Sequence, residues 1–188
     1  GAYGTDTAGS CRQPAAYCGV VGFKPTYGAI SRHGIIALGS SLDQIGSMAK
    51  SVADTRALFE AVRGPDPLDA TTIPDGLYTA RAPKDTLRIG VPRDLLADVE
   101  PDVRERFEAT LAELKAAGHE LRDVSLPTYK YAVPIYYIVL PAEASANLAR
   151  FDGIRYGLAE RGKTLLDDYI MTRADGFGDE PKRRILNG

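Results

Sequence analysis

The sequence predicts an α/β fold on three observations. A strand, a helix and a second strand follow one another at 87–92, 102–117 and 121–126. A right-handed crossover through such a helix makes the two strands parallel. A further amphipathic helix spans 51–63, with a start signal and a glycine stop. With 44% hydrophobic residues, the 188-residue chain can bury a core of its own.

Taken in order, 14–18 reads as a short helix that Gly19 stops. Val20 to Phe23 reads as a buried strand ended by Lys24-Pro25, because the residue before proline avoids helix. From 27 to 46, glycines and serines alternate with short apolar groups, predicting irregular loop with one short strand. In the helix at 51–63, Ser51 and Asp54 make a capping-box-like start, and Ala57, Leu58, Ala61 and Val62 form the apolar stripe. Residues 65–83, rich in Pro, Asp, Thr and Ala, predict surface loop. In the helix of the βαβ unit, Val103, Phe107, Leu111 and Leu114 share a face and Gly118 is the stop. The segment 129–150 is apolar and aromatic, with a kink or fresh helix start predicted at Pro141. The helix at 164–173 takes Leu165, Leu166, Tyr169 and Ile170 as its inner face; Gly176-Phe177-Gly178 breaks it, and another helix begins at 180–187.

Composition narrows the function. With 23 basic and 25 acidic residues the net charge is −2, so the chain does not advertise nucleic-acid binding of its own. Cys11 and Cys18 form no metal-ligand pattern and read as reduced thiols; no metal site is expected. No apolar run reaches membrane-spanning length, and no signal-peptide pattern stands at the start. The chain opens without Met on a candidate active-site loop and closes just after a basic helical stretch, which reads as an internal fragment.

That loop is Gly4-Thr5-Asp6-Thr7-Ala8-Gly9-Ser10-Cys11-Arg12-Gln13-Pro14. Small residues from Thr7 to Ser10 let the backbone turn tightly with its N–H groups free, and Pro14 suits the first turn of a helix. Ser10 therefore sits among main-chain donors that favour a negative oxygen, the arrangement an acyl-transfer enzyme needs. On spacing alone, the same residues also describe a Gly/Ser turn before a capped helix. A serine nucleophile needs a base. Of the two histidines, His33 in a turn is the better candidate and His119 reads as a surface residue.

The run from Gly4 to Pro14, continued by Val20-Val21-Gly22-Phe23-Lys24-Pro25-Thr26-Tyr27-Gly28 and Ser40-Ser41-Leu42-Asp43-Gln44-Ile45-Gly46, resembles the amidase signature family. Tyr136-Tyr137, the segment from Ala142 to Gly157, and Gly176-Phe177-Gly178 with Lys182-Arg183-Arg184-Ile185 are similar to one branch of it, the glutaminase subunits of tRNA-dependent amidotransferases. The resemblance implies a mixed, largely parallel sheet covered by helices. Residues 1–188 would be part of a single such domain, lacking its N-terminal and C-terminal portions.

The resemblance also implies roles. Ser10 matches the nucleophile, and Thr7, Ala8 and Gly9 match the loop whose amides stabilise the oxyanion. Ala8 stands where Gly is usual, and at positive φ it would carry about 1 kcal/mol of strain. Asp6 and Arg12 would tie the loop. Arg184 matches the arginine that receives the glutamine α-carboxylate, and Tyr136 a tyrosine of the same pocket. The family's base is a lysine acting through a second serine in a cis peptide bond, both ahead of the nucleophile and outside this sequence. Lys24 matches a non-catalytic part of the pattern. The implied reaction is glutamine amide hydrolysis through an acyl-serine, with ammonia used to amidate Glu-tRNA(Gln) or Asp-tRNA(Asn). Subunits B and C would complete a heterotrimer, with tRNA held mainly by the former and with ATP and Mg on that same partner; no cofactor is expected in this chain. A cytoplasmic setting of bacterial type, or an organelle, would follow. The alternatives are a stand-alone amidase of the family acting on another amide, and an inactive truncated fragment.

Overall fold

The computed structural model describes residues 1–77 and 85–188. Its elements are β1 (Ala2–Asp6), α1 (Arg12–Tyr17), β2 (Val21–Phe23), β3 (Gln44–Ala49), α2 (Val52–Val62), β4 (Arg88–Val91), α3 (Pro101–Ala116), β5 (Glu120–Asp123), α4 (Ala132–Leu148), α5 (Leu165–Gly176) and α6 (Asp179–Asn187). They fall into two compact units, one of Gly1–Thr79 with Pro134–Gly188, the other Ala80–Val133.

The second unit is the βαβ scaffold. Strands β4 and β5 pair in parallel, Arg88 opposite Glu120 and Val91 opposite Asp123. Helix α3 starts with Pro101 and Asp102, which suit a helix N-terminus, and stops at Gly118, whose φ of 90° lies in the left-handed region. Leu111 and Val91 are buried, whereas Val103 at the helix start is exposed.

The first unit is built on a three-stranded sheet of order β1-β3-β2. Both pairings are antiparallel, with Asp6 opposite Gln44 at one end and Val21 opposite Ala49 at the other. The class is α/β, with parallel pairing confined to β4 and β5 among the described residues. The central strand β3 occupies the end of a stretch that reads as irregular in sequence, while 35–38, the apolar part of that stretch, forms no strand. The reason lies in the side chains. Four of the six β3 residues are buried, including Gln44, Gly46 and Ser47, so no alternation of apolar and polar residues marks it. Their polar atoms are satisfied internally: the Gln44 Oε1 accepts the Gly28 N–H, and the Ser47 hydroxyl donates to the Thr55 carbonyl.

Helix α2 starts as its sequence indicates, with the Asp54 N–H donating to the Ser51 hydroxyl oxygen. Its inner side, however, is not the expected stripe. Thr55 is buried, Phe59 meets the Phe23 ring edge-on at 5.2 Å, and Ala57, Ala61 and Val62 are exposed. The helix turns toward β2 and β3 the side that can bond to and stack on them. The loop after it is anchored rather than loose. Asp66 accepts from the Ser31 hydroxyl, and Asp69 from the Arg32 N–H. The part of this loop at 78–83 lies outside the described residues.

Helix α4 runs unbroken through Pro141, so no new helix starts there. A helix-interior proline removes one hydrogen bond and costs about 3 kcal/mol. Here burial of Leu140, Pro141, Ala144 and Leu148 along one side opposes that cost. Helix α5 carries a full capping box, Thr164 and Asp167 each bonding the other's backbone N–H. Leu165, Leu166 and Ile170 are exposed, contrary to the expected inner face. The buried residue is Thr172, whose hydroxyl both accepts the Glu160 N–H and donates to its carbonyl. Phe177 and Gly178 separate α5 from α6, whose last residue leads into Gly188 against the Pro141 carbonyl of α4. Among the described residues no helix is long and apolar enough to cross a membrane.

Candidate active site

The loop between β1 and α1 is organised by Asp6, the last residue of β1. Asp6 is fully buried. Its Oδ1 accepts the Gly9 N–H at 2.5 Å and an Arg12 Nη2 proton at 3.1 Å; its Oδ2 accepts the Cys11 N–H at 3.2 Å and the Arg12 Nε proton at 3.0 Å. Burial alone would raise the carboxyl pKa. The Arg12 fork and the Gly9 and Cys11 amides outweigh it and bring Asp6 from 3.8 to about 2. The same pairing holds the Arg12 guanidinium above its ordinary value.

This clamp sets where each neighbour goes. Cys11 is turned inward and fully buried, and burial, followed by the Asp6 charge, pushes its thiol above the ordinary range. Its sulfur occupies the space over two glycines. A Cβ on Gly46 would fall 2.9 Å from Sγ and 2.6 Å from the Phe23 carbonyl oxygen, and one on Gly4 would fall 3.3 Å from Sγ. Gly22 meets α1 in the same way, since a Cβ there would lie 2.6 Å from that of Ala15. Bare backbone in β2 and β3 thus lets the start of α1 seat against the sheet. Ser10, the residue before Cys11, is exposed, and its hydroxyl has no hydrogen-bond partner among the described residues.

The backbone amides divide into two sets. Those of Gly9 and Cys11 are held by Asp6, whereas those of Ala8 and Ser10 have no acceptor among the described residues. Gly9 takes the strained conformation of the turn, with φ of 130°. No non-glycine residue has positive φ among the described residues, so the strain conditional on Ala8 does not arise. Thr7 is anchored through its hydroxyl, which donates to Asp43 Oδ1 at 2.7 Å.

The remaining sequence candidates lie elsewhere in the chain. Tyr136, on α4, is half-buried with its ring edge-on to Tyr137 at 5.6 Å. Arg184, on α6, pairs with Glu180 at 2.7 Å, one turn earlier. The Arg183 fork and then Arg184 hold the Glu180 carboxyl down at about 2. Pro181 falls in the first turn of α6, where proline is tolerated. No hydrogen bond joins Ser10, Tyr136 and Arg184 to one another among the described residues. Neither histidine ring bonds Ser10. His33 is exposed, and His119 Nδ1 accepts the Leu87 N–H. Lys24 donates to the adjacent Pro25 carbonyl.

Sequence reasoning assigned no role to three residues that frame the site: Asp43, Glu143 and Asn147. Asp43 and Asn147 are buried. The available signal was Glu143 and Asn147 spaced four apart in a largely apolar helix, where a polar pair on one face implies a common polar partner.

A family model described as Amidase matches residues 1–188. The A-subunit of the glutamyl-tRNA(Gln) amidotransferase of Desulfatibacillum aliphaticivorans is 47% identical over 196 residues, 100% of this chain and 40% of that protein. The crystal structure of the corresponding subunit from Thermotoga maritima superposes with a TM-score of 0.68 at 34% identity, covering 98% of this chain and 42% of that one. The native peptide amidase of Stenotrophomonas maltophilia gives a TM-score of 0.70 at 28% identity, over 97% of this chain and 40% of its own. This chain thus spans about 40% of the length of the curated relatives it matches. Matched from end to end by that model, and sharing its fold with solved amidases, the chain belongs to the amidase family.

Proposed function

We propose that this chain carries the nucleophile and oxyanion-binding half of a glutamine-hydrolysing site. The observation that carries this reading is the exposed Ser10, held between the inward Cys11 and the positive-φ Gly9 by the Asp6 clamp. In the reaction, the Ser10 Oγ adds to the side-chain amide carbon of glutamine, and its proton passes to a base. The resulting oxyanion is met by main-chain N–H groups of the Thr7–Ser10 loop, of which Ala8 and Ser10 have no other acceptor among the described residues. Gly9, its amide held by Asp6, supplies the turn conformation. Collapse expels ammonia, which leaves with the proton, and water then cleaves the γ-glutamyl ester to glutamate. Arg184 receives the α-carboxylate, exchanging part of its pairing with Glu180 for it, and Tyr136 lines the same pocket.

Among the described residues no side chain bonds the Ser10 hydroxyl as a base would. By family resemblance the base is a lysine acting through a second serine. The ammonia is used by an amidotransferase whose subunits B and C complete the complex. The first of these partners holds the tRNA and supplies ATP and Mg to activate Glu-tRNA(Gln) or Asp-tRNA(Asn). The relatives' naming as amidotransferase subunits supports this over a stand-alone amidase.

Ammonia release from glutamine by the full-length protein in its complex tests the reading. Ser10→Ala is expected to lower the rate by about a thousandfold or more, and the 188-residue chain alone to release none above background. A Ser10→Ala enzyme retaining its rate would overturn the acyl-serine reading. A preference for peptide or aryl amides over glutamine would instead favour the stand-alone amidase.

A further inference from the structure

The proposed reaction leaves one buried carboxylate without a role. Asp43, 3% exposed, closes the 38–43 turn just before β3. Its Oδ1 accepts the Thr7 hydroxyl proton at 2.7 Å, and its Oδ2 accepts the N–H groups of Leu38 and Gly39 at 2.8 and 3.0 Å. Arg32 does not bond this carboxylate; it reaches the Asp43 main-chain carbonyl at 3.2 Å. All three bonds to the carboxylate therefore hold chain segments in place.

The turn that Asp43 gathers is itself fastened to α4. The Asn147 side-chain amide donates to the Leu38 carbonyl at 3.1 Å and to the Ser40 hydroxyl oxygen at 2.9 Å. Glu143 accepts both the Ser41 N–H, at 2.9 Å, and the Ser41 hydroxyl. Gly39 fits between the two structures the turn connects. A Cβ there would lie 2.9 Å from Leu140 Cδ1 on α4 and 3.5 Å from Thr7 Cγ2. The Thr7 side chain thus abuts a wedge of turn whose far side is bolted to a helix.

We propose that Asp43 is a positioning residue for the oxyanion-binding loop, fixing the Thr7–Ala8 peptide through the Thr7 hydroxyl. The inference rests on the acyl-serine reading above. It divides the loop between two carboxylates. Asp6 immobilises the Gly9 and Cys11 amides from the α1 side, and Asp43 immobilises Thr7 from the β3 side. The Ala8 amide lies between these anchors, and its direction is set by both. A donor whose direction is fixed before the oxyanion forms stabilises the transition state more than the bound substrate.

The consequence is a loss confined to kcat. In the full-length protein within its complex, Thr7→Val keeps the side-chain shape and removes the hydroxyl, whereas Thr7→Ser keeps the hydroxyl. Thr7→Val is expected to lower kcat for ammonia release from glutamine by about tenfold or more, with KM within about twofold. Thr7→Ser is expected to restore most of the rate. Asp43→Asn should show the same split, and the Thr7→Val, Asp43→Asn double variant should be no slower than its slower parent. Because Asp43 is buried, its replacement can unfold the turn, so thermal melting accompanies each variant and the Thr7 pair decides. A Thr7→Val enzyme with wild-type kcat, a loss carried entirely by KM, or a defect that Thr7→Ser shares would overturn the proposal. If Ser10→Ala in the same preparation keeps full activity, the acyl-serine reading has failed and this one falls with it; if Ser10→Ala is inactive and Thr7→Val is not, Asp43 alone has been misassigned.

Discussion

Removing the fully buried Asp6 carboxylate would leave the Gly9 and Cys11 amides and the Arg12 fork without their acceptor. Because the folded pKa of Asp6 lies near 2 and the ordinary value is 3.8, its contribution to stability is complete above about pH 4 and is lost as pH falls through 2. The difference corresponds to about 2 kcal/mol, an upper figure because Arg12 is half exposed to solvent. Urea unfolding of the wild-type chain is therefore expected to lose stability between pH 4 and 2 more steeply than Asp6→Asn, which should start lower and change less. Equal slopes for the two proteins would show that Asp6 is not the group responsible. The resemblance implied that Asp6 and Arg12 tie the loop, whereas their pairing with each other is a feature of the folded turn. Asp43 was not legible in sequence, since its partner Thr7 is brought to it only by the sheet.

At the scale of the element, what the sequence showed depended on the range of the forces involved. The start of α2 and the glycine stop of α3 were readable, because caps act across three or four residues. The buried faces of α2 and α5 were not, because the side a helix buries depends on its neighbour: the Thr55 carbonyl accepts the Ser47 hydroxyl, and the Thr172 hydroxyl meets Glu160. Strand β3 was hidden for a related reason. Three of its four buried residues are glycine or hydrogen-bonded polar groups, Gly46 admitting Cys11 and Ser47 bonding to α2. Gly46→Ala tests that explanation directly. The added methyl would meet the Phe23 carbonyl at 2.6 Å and the Cys11 sulfur at 2.9 Å, so a destabilisation of about 1–3 kcal/mol is expected by denaturant titration. The paired Gly46→Ala, Cys11→Ala variant should recover only part of it, since the carbonyl contact remains. A neutral Gly46→Ala would mean that α1 does not seat against β3 as described.

Over the whole molecule, the loop, its two carboxylate clamps, α4 from Pro134 onward, α5 and α6 belong to the first unit, and the βαβ unit contributes none of the proposed site residues. That unit was the most legible part of the chain, and it has the least to do with the chemistry proposed. Parallel pairing follows from local strand and helix signals, whereas a catalytic loop is defined by bonds between segments far apart in sequence. Family membership was legible because matching motifs recur in order along nearly the entire chain, and the end-to-end match bears that out. The mechanism is tested most directly by trapping the covalent intermediate. The full-length complex, turning over glutamine, is quenched in acid, digested and analysed by mass spectrometry. The account predicts a γ-glutamyl ester on the peptide containing Ser10, absent from the Ser10→Ala enzyme. An ester on another residue, or undiminished turnover in the Ser10→Ala enzyme, would contradict it.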